Sequence, residues 1–431
     1  MERVIRDEIH RDLLIPPHIA ELIDTLEFQR LRNIQQLSTC HLVFPSANHT
    51  RFAHSLGAYH LASRLMGMLD RVHPGRIDPE DVDLVAIAAL LHDVGHPPFS
   101  HLLETPEVFA TYRSHETWGE AIVTSDATEL GQAVRRVLGP ARTQRLFDLW
   151  SNEPVQDVPP YLREVIAGQI DVDRLDYLVR DQRNTGAQIG GFDLDRVLRS
   201  LRLDEEGSLY VMQWGLPAIE AYLVTRYHMY QQVYFHKVNT LTQTYLRRLL
   251  VRARELAIEG KLDLTPAMRG MLLDDELTVA GYARLTDVDI LAALPDWGHH
   301  DDDFLREDAL RLLRRRGYHK LVRVEGMTIG EAKEIATELR SWVQGLGRDA
   351  GREVLLATIS KQGYRPYEQG IRLQDGRDVI NHSALVASLV QPIEHAHVFV
   401  PEDLRDQAEA LAQARLRPTQ STLRSFAGSE G

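Results

Sequence analysis

Apolar positions recur at helical spacing through most of the first half of this 431-residue chain. Ile19, Leu22, Ile23 and Leu26 follow the i, i+3, i+4, i+7 pattern of an amphipathic helix. Residues 82–91 are apolar almost all round, which predicts a central helix buried on every side. Helices are therefore expected to dominate this part of the chain.

Two longer helices are predicted further along, with a short hairpin between them. The first covers residues 161–183 and ends at the polar turn 184–186, which closes on a glycine. The second runs from residue 217 towards residue 256. Between them, residues 199–213 carry the turn Glu-Glu-Gly at 205–207, which predicts a β-hairpin outside the helical body.

The pattern changes after about residue 300, where short apolar runs alternate with helical segments. Strands are predicted at 321–324 and 354–359, and helices at 328–346 and 401–414. This alternation is typical of a small α+β domain.

The chain is therefore predicted to be mainly α. We expect a helical catalytic core with a helical extension over residues 1–302 and a small α+β domain over residues 303–412. Residues 413–431 end in a stretch rich in Ser, Thr and Gly and are predicted to form a flexible tail.

The composition of the chain limits the kinds of partner that we expect it to bind. The formal net charge of −13 argues against a general affinity for nucleic acid, although it leaves room for a small basic pocket that binds one anion. The single cysteine, Cys40, rules out an intramolecular disulfide and fits a reducing compartment. No secretory signal is recognised, and no apolar run approaches the roughly 18 residues of a membrane helix. We expect a cytoplasmic protein without a membrane partner.

His92 and Asp93 stand side by side at the end of the apolar run 82–91. Burying ionisable groups without partners is strongly unfavourable, so this pair needs a reason. A divalent metal is the simplest one, because imidazole nitrogen and carboxylate oxygen are good ligands for such cations.

The remaining ligands would come from distant parts of the chain. His54 and Asp173 are candidates, although a lone histidine is more often a hydrogen-bonded core or cap residue. Spacing alone does not select Asp173 over its neighbours Asp171 and Asp176.

Several segments resemble the HD-domain dNTP triphosphohydrolases, a branch of the HD superfamily of metal-dependent phosphohydrolases. They are DTLEFQRLR at 24–32, VFPSANH at 43–49, RFAHSLG at 51–57 and LHDVGHPPFSH at 91–101. The resemblance runs from about residue 3 to 250 and continues more weakly to about 410. The family includes an animal enzyme whose HD domain follows a sterile alpha motif, a motif that is not recognised in this sequence.

The resemblance implies hydrolysis of a dNTP between the α-phosphate and the 5′-oxygen, which releases deoxynucleoside and inorganic triphosphate. It implies one divalent metal ion held by His54, His92, Asp93 and Asp173. Mn, Fe, Mg, Co and Zn all accept mixed His/Asp ligands, so the sequence leaves the metal open.

The resemblance also implies a catalytic group of His96, His101, Glu104 and His115 around the bond that breaks. A histidine can protonate the departing oxygen, and a carboxylate can orient it and support its charged form. We expect His101 to be the acid, oriented by Glu104 or His115. The alternative is that His96 and His101 brace the loop of prolines at 97–98.

Cationic and aromatic residues form two stripes at helical spacing. They are Arg226, Tyr230, Tyr234 and Lys237 at offsets 0, 4, 8 and 11, and Arg174, Tyr177 and Asp181 at offsets 0, 3 and 7. By themselves such stripes more often form a solvated face or salt bridges between helices.

The family resemblance instead implies substrate contacts. It implies triphosphate contacts at Arg51, Arg174, Arg226 and Lys237, contacts at the sugar end at Tyr177, Asp181 and Tyr234, and a segment over the deoxyribose at Gln36 and Leu37.

A regulatory site is also implied by resemblance. The family binds a guanine nucleotide at a subunit interface, and the matching residues are Arg3, Val4, Asp24, Gln29 and Arg32. The same residues also look like helix caps and ordinary surface pairs. The expected partners are thus a dNTP substrate, a GTP or dNTP activator and further copies of the chain in a dimer or tetramer; nucleic acid is not favoured.

Two other functions compete with the triphosphohydrolase. One is an HD-domain phosphodiesterase, nucleotidase or single-strand nuclease, because a metal site recognises phosphate and not the base. The other is a nucleotide-binding sensor that acts by oligomerisation.

Overall fold

The computed structural model describes residues 2–151, 155–274, 277–324, 326–361, 364–366 and 370–426, the last ten of these by their backbone only. The chain divides into two compact units. The first unit comprises residues 1–234, 253–292 and 363–391, and the second comprises residues 235–252, 293–362 and 392–431.

Helices account for most of the regular structure, so the predicted fold class is confirmed. In chain order to residue 258 they are α1 (Pro17–Ile23), α2 (Leu26–Arg30), α3 (Arg51–Val72), α4 (Pro79–Leu91), α5 (His115–Thr124), α6 (Glu129–Trp150), α7 (Pro160–Ala167), α8 (Val172–Thr185), α9 (Leu194–Ser200), α10 (Leu216–Met229) and α11 (Lys237–Ile258). The later helices are α12 (Pro266–Leu272), α13 (Val279–Tyr282), α14 (Asp287–Trp297), α15 (Asp303–Arg314), α16 (Ile329–Gly345), α17 (Ala350–Glu353), α18 (Ala384–Ser388) and α19 (Arg405–Phe426). None of the described helices has both the length and the apolar character that crossing a membrane requires.

Helix α4 is the centre of the first unit, as its apolar sequence predicts. Asp78 caps it by accepting a hydrogen bond from the backbone of Glu80, and Pro79 occupies the first turn. Every residue from Leu84 to Leu91 is buried. Burial of each leucine stabilises the fold by about 1.5–3 kcal/mol relative to an exposed side chain. Helices α3 and α6 pack against α4, and α8 packs against α3.

An N-terminal hairpin precedes the helices and was not predicted. Strands β1 (Arg3–Asp7) and β2 (Arg11–Ile15) pair antiparallel, with Asp7 opposite Arg11. The carboxylate of Asp7 accepts hydrogen bonds from the backbone of Ile9 and His10 in the turn, each 2.8 Å long. The second hairpin, β3 (Leu201–Leu203) with β4 (Leu209–Val211), confirms the hairpin predicted at 199–213.

Two predicted helices are interrupted. The segment 161–183 forms α7 and α8, because Gly168 is extended and Asp171 starts a new helix by capping the backbone of Arg174. Asp173 therefore lies in the first turn of α8 and not in the middle of a helix. The segment 217–256 forms α10 and α11, separated by one turn of π-helix at Tyr230–Tyr234.

The second unit contains a small antiparallel sheet with helices packed on it. Its strands are β5 (Lys320–Leu321), β6 (Leu355–Lys361) and β7 (Ile393–Val400), in the order β5-β7-β6. Helix α16 begins with a capping box between Thr328 and Glu331 and packs on β6 and β7. These elements confirm the strand predicted at 354–359 and the helix predicted at 328–346, whereas only residue 321 of the strand predicted at 321–324 lies in β5.

The predicted division at residues 302 and 303 stays a prediction. The second unit contains most of the predicted α+β domain, but it also includes residues 235–252 and excludes 363–391. Helix α19 continues to Phe426, past the predicted end at 414. The final part of the predicted flexible tail, residues 427–431, lies outside the described residues.

Candidate metal and active site

Three helices bring four predicted ligands together. His54 comes from α3, His92 and Asp93 follow the end of α4, and Asp173 comes from the first turn of α8. The Nε2 atom of His54 lies 3.0 Å from Oδ1 of Asp173, and Nε2 of His92 lies 3.6 Å from the same oxygen. Nε2 of His92 is also 3.3 Å from Oδ1 of Asp93. Ligand atoms of His54, His92 and Asp93 lie close enough together to hold a metal ion.

The two histidines turn unpartnered nitrogens towards these carboxylates. Nε2 of His54 and Nε2 of His92 are buried and have no aligned hydrogen bond within the described part of the chain. The opposite nitrogens are engaged, since Nδ1 of His54 donates to Asp176 over 2.8 Å and Nδ1 of His92 donates to the carbonyl of Ala89 over 2.7 Å. When either ring is neutral, its lone pair is therefore on Nε2. Buried polar atoms without partners are rare, and two of them beside carboxylates fit a cation.

Three aspartates at the start of α8, Asp171, Asp173 and Asp176, occupy separate positions that spacing alone did not distinguish. Asp171 caps the helix and pairs with the guanidinium of Arg174. Asp176 lies behind His54, on the Nδ1 side of the ring. Asp173 alone of the three lies beside the Nε2 atoms of both histidines.

The electrostatics of this cluster favour added positive charge. Burial opposes the protonated form of His54, but Asp173 and Asp176 outweigh it and raise the pKa of His54 to about 10. Burial likewise opposes protonation of His92, yet Asp93 and Asp173 raise its pKa. The carboxylates therefore attract a proton or a metal cation to this position.

Arg51 is built into the cluster. One guanidinium nitrogen donates to Asp93 over 2.6 Å, and its Nε donates to the hydroxyl of Ser100 over 2.8 Å. The Ser100 hydroxyl in turn donates to the carbonyl of Gln35 over 3.1 Å. Arg51, predicted to contact triphosphate, thus lies beside the metal-ligand candidates with its charge already paired.

The predicted catalytic group also assembles. Nδ1 of His101 donates to Glu104 over 2.9 Å, and both the backbone and Nδ1 of His115 donate to the same carboxylate over 2.7 and 2.9 Å. Burial acts to raise the pKa of Glu104, but its hydrogen bonds to His101 and His115 lower it well below the usual range. The His101 side chain is 67% exposed, whereas His96 is buried. An ionised carboxylate therefore holds one exposed imidazole and one half-buried imidazole.

The geometry of the three histidines suits proton handling better than a second metal. The rings of His96 and His115 are stacked, with centroids 4.0 Å apart and planes inclined by only 14°. The lone pairs of a histidine lie in the ring plane, so stacked rings cannot direct two of them to one ion.

Gly95 permits the close approach of α5, because a Cβ there would lie 2.0 Å from the carbonyl oxygen of His115.

The loop that carries His96 and His101 is held by residues that sequence reasoning missed. Phe99 and Ser100 have left-handed backbone, with φ of 52° and 56°. Asp287 accepts the backbone N–H of Phe99 over 2.7 Å, and the guanidinium of Arg30 donates to the carbonyls of residues 94, 96 and 285. Arg30 lies in the matching segment 24–32, but neither Arg30 nor Asp287 carries a local signal for this role.

Two of the residues predicted at the sugar end, Asp181 and Tyr234, are hydrogen-bonded to each other. Asp181 accepts from Nε2 of His49 over 2.7 Å and from the hydroxyl of Tyr234 over 2.6 Å. The ring of Tyr177 lies 6.4 Å from that of His54. Sequence reasoning did not single out His49, although it lies in the matching segment 43–49. Gln36 and Leu37 lie beside Gln35, whose carbonyl accepts from Ser100, and Oε1 of Gln36 is buried without a partner in the described residues.

The stripe predicted from Arg226 to Lys237 does not lie on one continuous helix. The π-helical turn at Tyr230–Tyr234 changes the angular spacing, so the four residues do not follow one straight helix. Arg226 lies in α10 with a buried Nε that has no hydrogen-bond partner among the described residues. Lys237 begins α11, in the second unit. On α8, Arg174, Tyr177 and Asp181 do share one helix, and Arg174 pairs with Asp171.

The predicted activator residues make local pairs. The guanidinium of Arg3 binds both carboxylate oxygens of Asp24 over 2.6 and 2.7 Å. Gln29 donates to the carbonyl of Ile23, and Arg32 donates to Gln29 over 2.7 Å. Val4 is 58% exposed on the hairpin. These contacts agree with the alternative of ordinary surface pairs and leave a nucleotide site untested.

Comparison with known families agrees with this geometry. The model of the HD domain matches residues 51–181, and the model of the HD associated region matches residues 192–416. The first match contains the four metal-ligand candidates and the histidine cluster. The chain therefore belongs to the HD-domain phosphohydrolases that carry an HD associated region, which confirms the resemblance at the level of the family.

Individual relatives define the match further. The chain is 34% identical to protein YwfO of Bacillus subtilis over 423 residues, covering 94% of this chain and 93% of that protein. It is 29% identical to the human deoxynucleoside triphosphate triphosphohydrolase SAMHD1 over 359 residues, covering 76% of this chain and 55% of the human protein. A crystal structure of a phosphohydrolase from Bacteroides thetaiotaomicron superimposes with a TM-score of 0.78 at 27% identity, covering 93% of this chain and all of that one.

Proposed function

We propose that this protein hydrolyses deoxynucleoside triphosphates to deoxynucleoside and inorganic triphosphate, with the help of one divalent metal ion. The observation that carries the proposal is the pair of unpartnered Nε2 atoms of His54 and His92 beside Asp93 and Asp173. The adjacent histidine cluster and the similarity to deoxynucleoside triphosphate triphosphohydrolases support it. A phosphodiesterase or nucleotidase would share the metal site, so the products must separate these reactions.

The proposed metal ligands are His54, His92, Asp93 and Asp173. The donor set fits a divalent cation because it offers two imidazole nitrogens and two carboxylates, and it accepts Mn, Fe, Mg, Co or Zn. When bound, such a cation supplies positive charge that polarises a phosphoryl oxygen. Arg51 offsets part of the negative charge of Asp93 and keeps that carboxylate ionised.

In the proposed reaction, the oxygen of a water molecule bonds to the α-phosphorus, the bond from phosphorus to the 5′-oxygen breaks, and one proton of the water is released to solvent, from which the proton donor is later recharged. The departing 5′-oxygen then takes a proton, for which His101 is the proposed donor. Its exposure allows contact with a substrate, and Glu104 orients the ring and supports the imidazolium. His115 shares the same carboxylate, and burial together with Arg51 lowers the pKa of His96 and keeps that ring neutral.

The proposed substrate contacts divide by chemistry. Arg226 offers a buried unpartnered Nε for a phosphate oxygen, and Arg51, Arg174 and Lys237 are the other proposed cations. Tyr177, Asp181 and Tyr234 are proposed for the sugar end, with Gln36 and Leu37 over the deoxyribose. A tight wall against C2′, closed by an aromatic ring, would exclude a 2′-hydroxyl by its size. The buried Asp181, which also binds His49, accepts from the Tyr234 hydroxyl and fixes that ring.

Activation by a nucleotide and assembly into a dimer or tetramer are proposed from the resemblance at Arg3, Val4, Asp24, Gln29 and Arg32. Size-exclusion chromatography with and without GTP or dGTP tests this step. A change in assembly together with a change in activity is expected, and an unchanged assembly with unchanged activity rejects it. We propose a cytoplasmic location on the basis of the single cysteine.

The test of the reaction is incubation with each dNTP and NTP in the presence of Mn²⁺ or Mg²⁺, followed by chromatography of the products. Deoxynucleoside and triphosphate from dNTPs are expected. Mono- or diphosphate products would instead indicate a phosphodiesterase or nucleotidase. Nucleotide-dependent assembly without any product would favour the sensor.

A further inference from the structure

Asp176 joins the metal-ligand candidates to the rest of the first unit. Its side chain is fully buried, and one oxygen accepts from Nδ1 of His54 over 2.8 Å. The other oxygen accepts from Nε2 of His10 over 2.7 Å. The guanidinium of Arg180 donates hydrogen bonds to both oxygens over 2.9 and 3.0 Å. Three side chains therefore fix the orientation of one carboxylate.

The packing around this carboxylate is specific. Gly57 lies one turn after His54 on α3, and a Cβ at this position would lie 1.9 Å from Oδ1 of Asp176 and 2.5 Å from Nη2 of Arg180. The absence of a side chain at Gly57 is therefore what admits the carboxylate between α3 and α8.

The N-terminal hairpin reaches the same carboxylate through its turn. His10 lies between β1 and β2, and its side chain is buried against Asp176. The neighbouring Asp7 accepts from Arg180 over 2.9 Å and also from the backbone of His10 over 2.8 Å. Leu13 and Ile15 add buried apolar contact on one face of the hairpin, while Val4 and Leu14 opposite each other are 58% and 57% exposed.

We propose that Asp176 is a positioning residue that holds His54 with its Nε2 lone pair towards the metal, and that His10 couples the docked N-terminal hairpin to that position. The inference rests on the proposed metal site. A carboxylate on the far nitrogen of a ligating histidine fixes its tautomer and ring orientation, and losing such a partner typically weakens metal binding 10–100-fold. Because coupling between two sites is reciprocal, metal binding also stabilises the docked hairpin.

The test uses the full chain and Co²⁺, whose visible absorption reports its ligands. His10→Gln is expected to lower the affinity for Co²⁺ about tenfold, and Asp176→Asn at least as much. His18→Gln is the control, since His18 donates to Asp83 over 2.8 Å in a partly exposed pair away from the metal-ligand candidates. This variant should bind Co²⁺ as the wild type does. Circular dichroism establishes that each variant is folded.

Hydrogen exchange supplies a second measurement that does not depend on activity. Removal of the metal from the wild type should increase deuterium uptake in residues 3–15 and leave the second hairpin, residues 201–211, unchanged. This inference alone would be overturned if the wild type binds Co²⁺, His10→Gln binds it equally well, and the hairpin exchanges at the same rate with and without metal. A wild type that binds no divalent metal overturns the metal site and the inference together.

Discussion

The Nε2 atom of His54 lies 3.0 Å from a carboxylate oxygen of Asp173 and yet has no aligned hydrogen bond to it. The opposite nitrogen of the same ring donates to Asp176 over 2.8 Å, which leaves the lone pair of the neutral ring on Nε2. A buried lone pair that faces a carboxylate needs a cation between them or nearby. This relationship is the physical basis of the proposed metal centre.

Replacing Asp173 by Asn should remove a negative ligand while keeping the shape of the side chain. We expect the affinity for Mn²⁺ to fall by about 100-fold or more, because an amide oxygen carries no charge to offset that of the cation. Isothermal titration measures the change. Asp171→Asn on the same helix is the control, since Asn also caps helices well, and it should retain the metal. Equal losses in both variants would show that Asp173 has no special role.

Replacing His101 by Asn should slow turnover without removing the metal. General acid catalysis contributes about 10²–10⁴-fold, so kcat is expected to fall within that range. Glu104→Gln keeps the hydrogen-bonding shape but loses the charge that orients His101, and a smaller decrease in kcat is expected. Steady-state kinetics on dNTPs, with metal content measured in parallel, check both. Full activity of His101→Asn would reject His101 as the proton donor.

Replacing Gly95 by Ala should destabilise the fold near the histidine cluster. The new Cβ would meet the carbonyl oxygen of His115 at 2.0 Å and the backbone nitrogen of Gly119 at 2.3 Å, and backbone atoms cannot rotate away. Overpacking of this kind costs about 1–3 kcal/mol or more in the free energy of unfolding. Gly67→Ala, at an exposed helical position with nothing within 4 Å, should instead gain about 0.5–1 kcal/mol. Denaturant unfolding of the two variants gives the comparison, and equal stabilities would contradict it.

The second unit should lose stability as the pH falls below neutral. Burial, together with Arg311 and Arg248, lowers the pKa of His319 to about 3. Between about pH 6.5 and 3 the unfolded chain then binds a proton at His319 that the folded chain does not, so the stability contribution present above pH 6.5 is lost as the pH decreases. His319→Gln should flatten this dependence by on the order of 1 kcal/mol or more. Unfolding curves from pH 7 to 4 measure it, and an identical slope in the wild type and His319→Gln would contradict it.

Local signals predicted the central helix well and the neighbouring helices less well. Asp78, Pro79 and a continuous apolar run define α4 without any tertiary information. The break at Gly168 was missed because the apolar spacing continues across it. The capping role of Asp171 becomes clear only from the structure, where Asp173 faces another helix. The first hairpin was missed because its two strands are short, only five residues each, and neither shows a regular alternation of apolar and polar residues.

The site was predicted mostly through resemblance. Physical reasoning alone singled out the pair His92 and Asp93, since two ionisable groups end an apolar helix. Asp173, Asp176 and Asp171 lie within two turns of one helix, and only the packing of α8 on α3 separates their roles. Contacts such as Asp287 with the backbone of Phe99 join segments far apart in the chain, so no local pattern could have shown them.

Metal content is the most direct measurement of the central claim. The wild type and His92→Ala are each equilibrated with Mn²⁺, passed through a desalting column and analysed for bound metal per chain. The wild type should retain about one ion and the variant should retain less than about a tenth of it, in line with the loss of a direct ligand. Equal metal content in the two folded proteins would contradict a metal centre at His54, His92, Asp93 and Asp173.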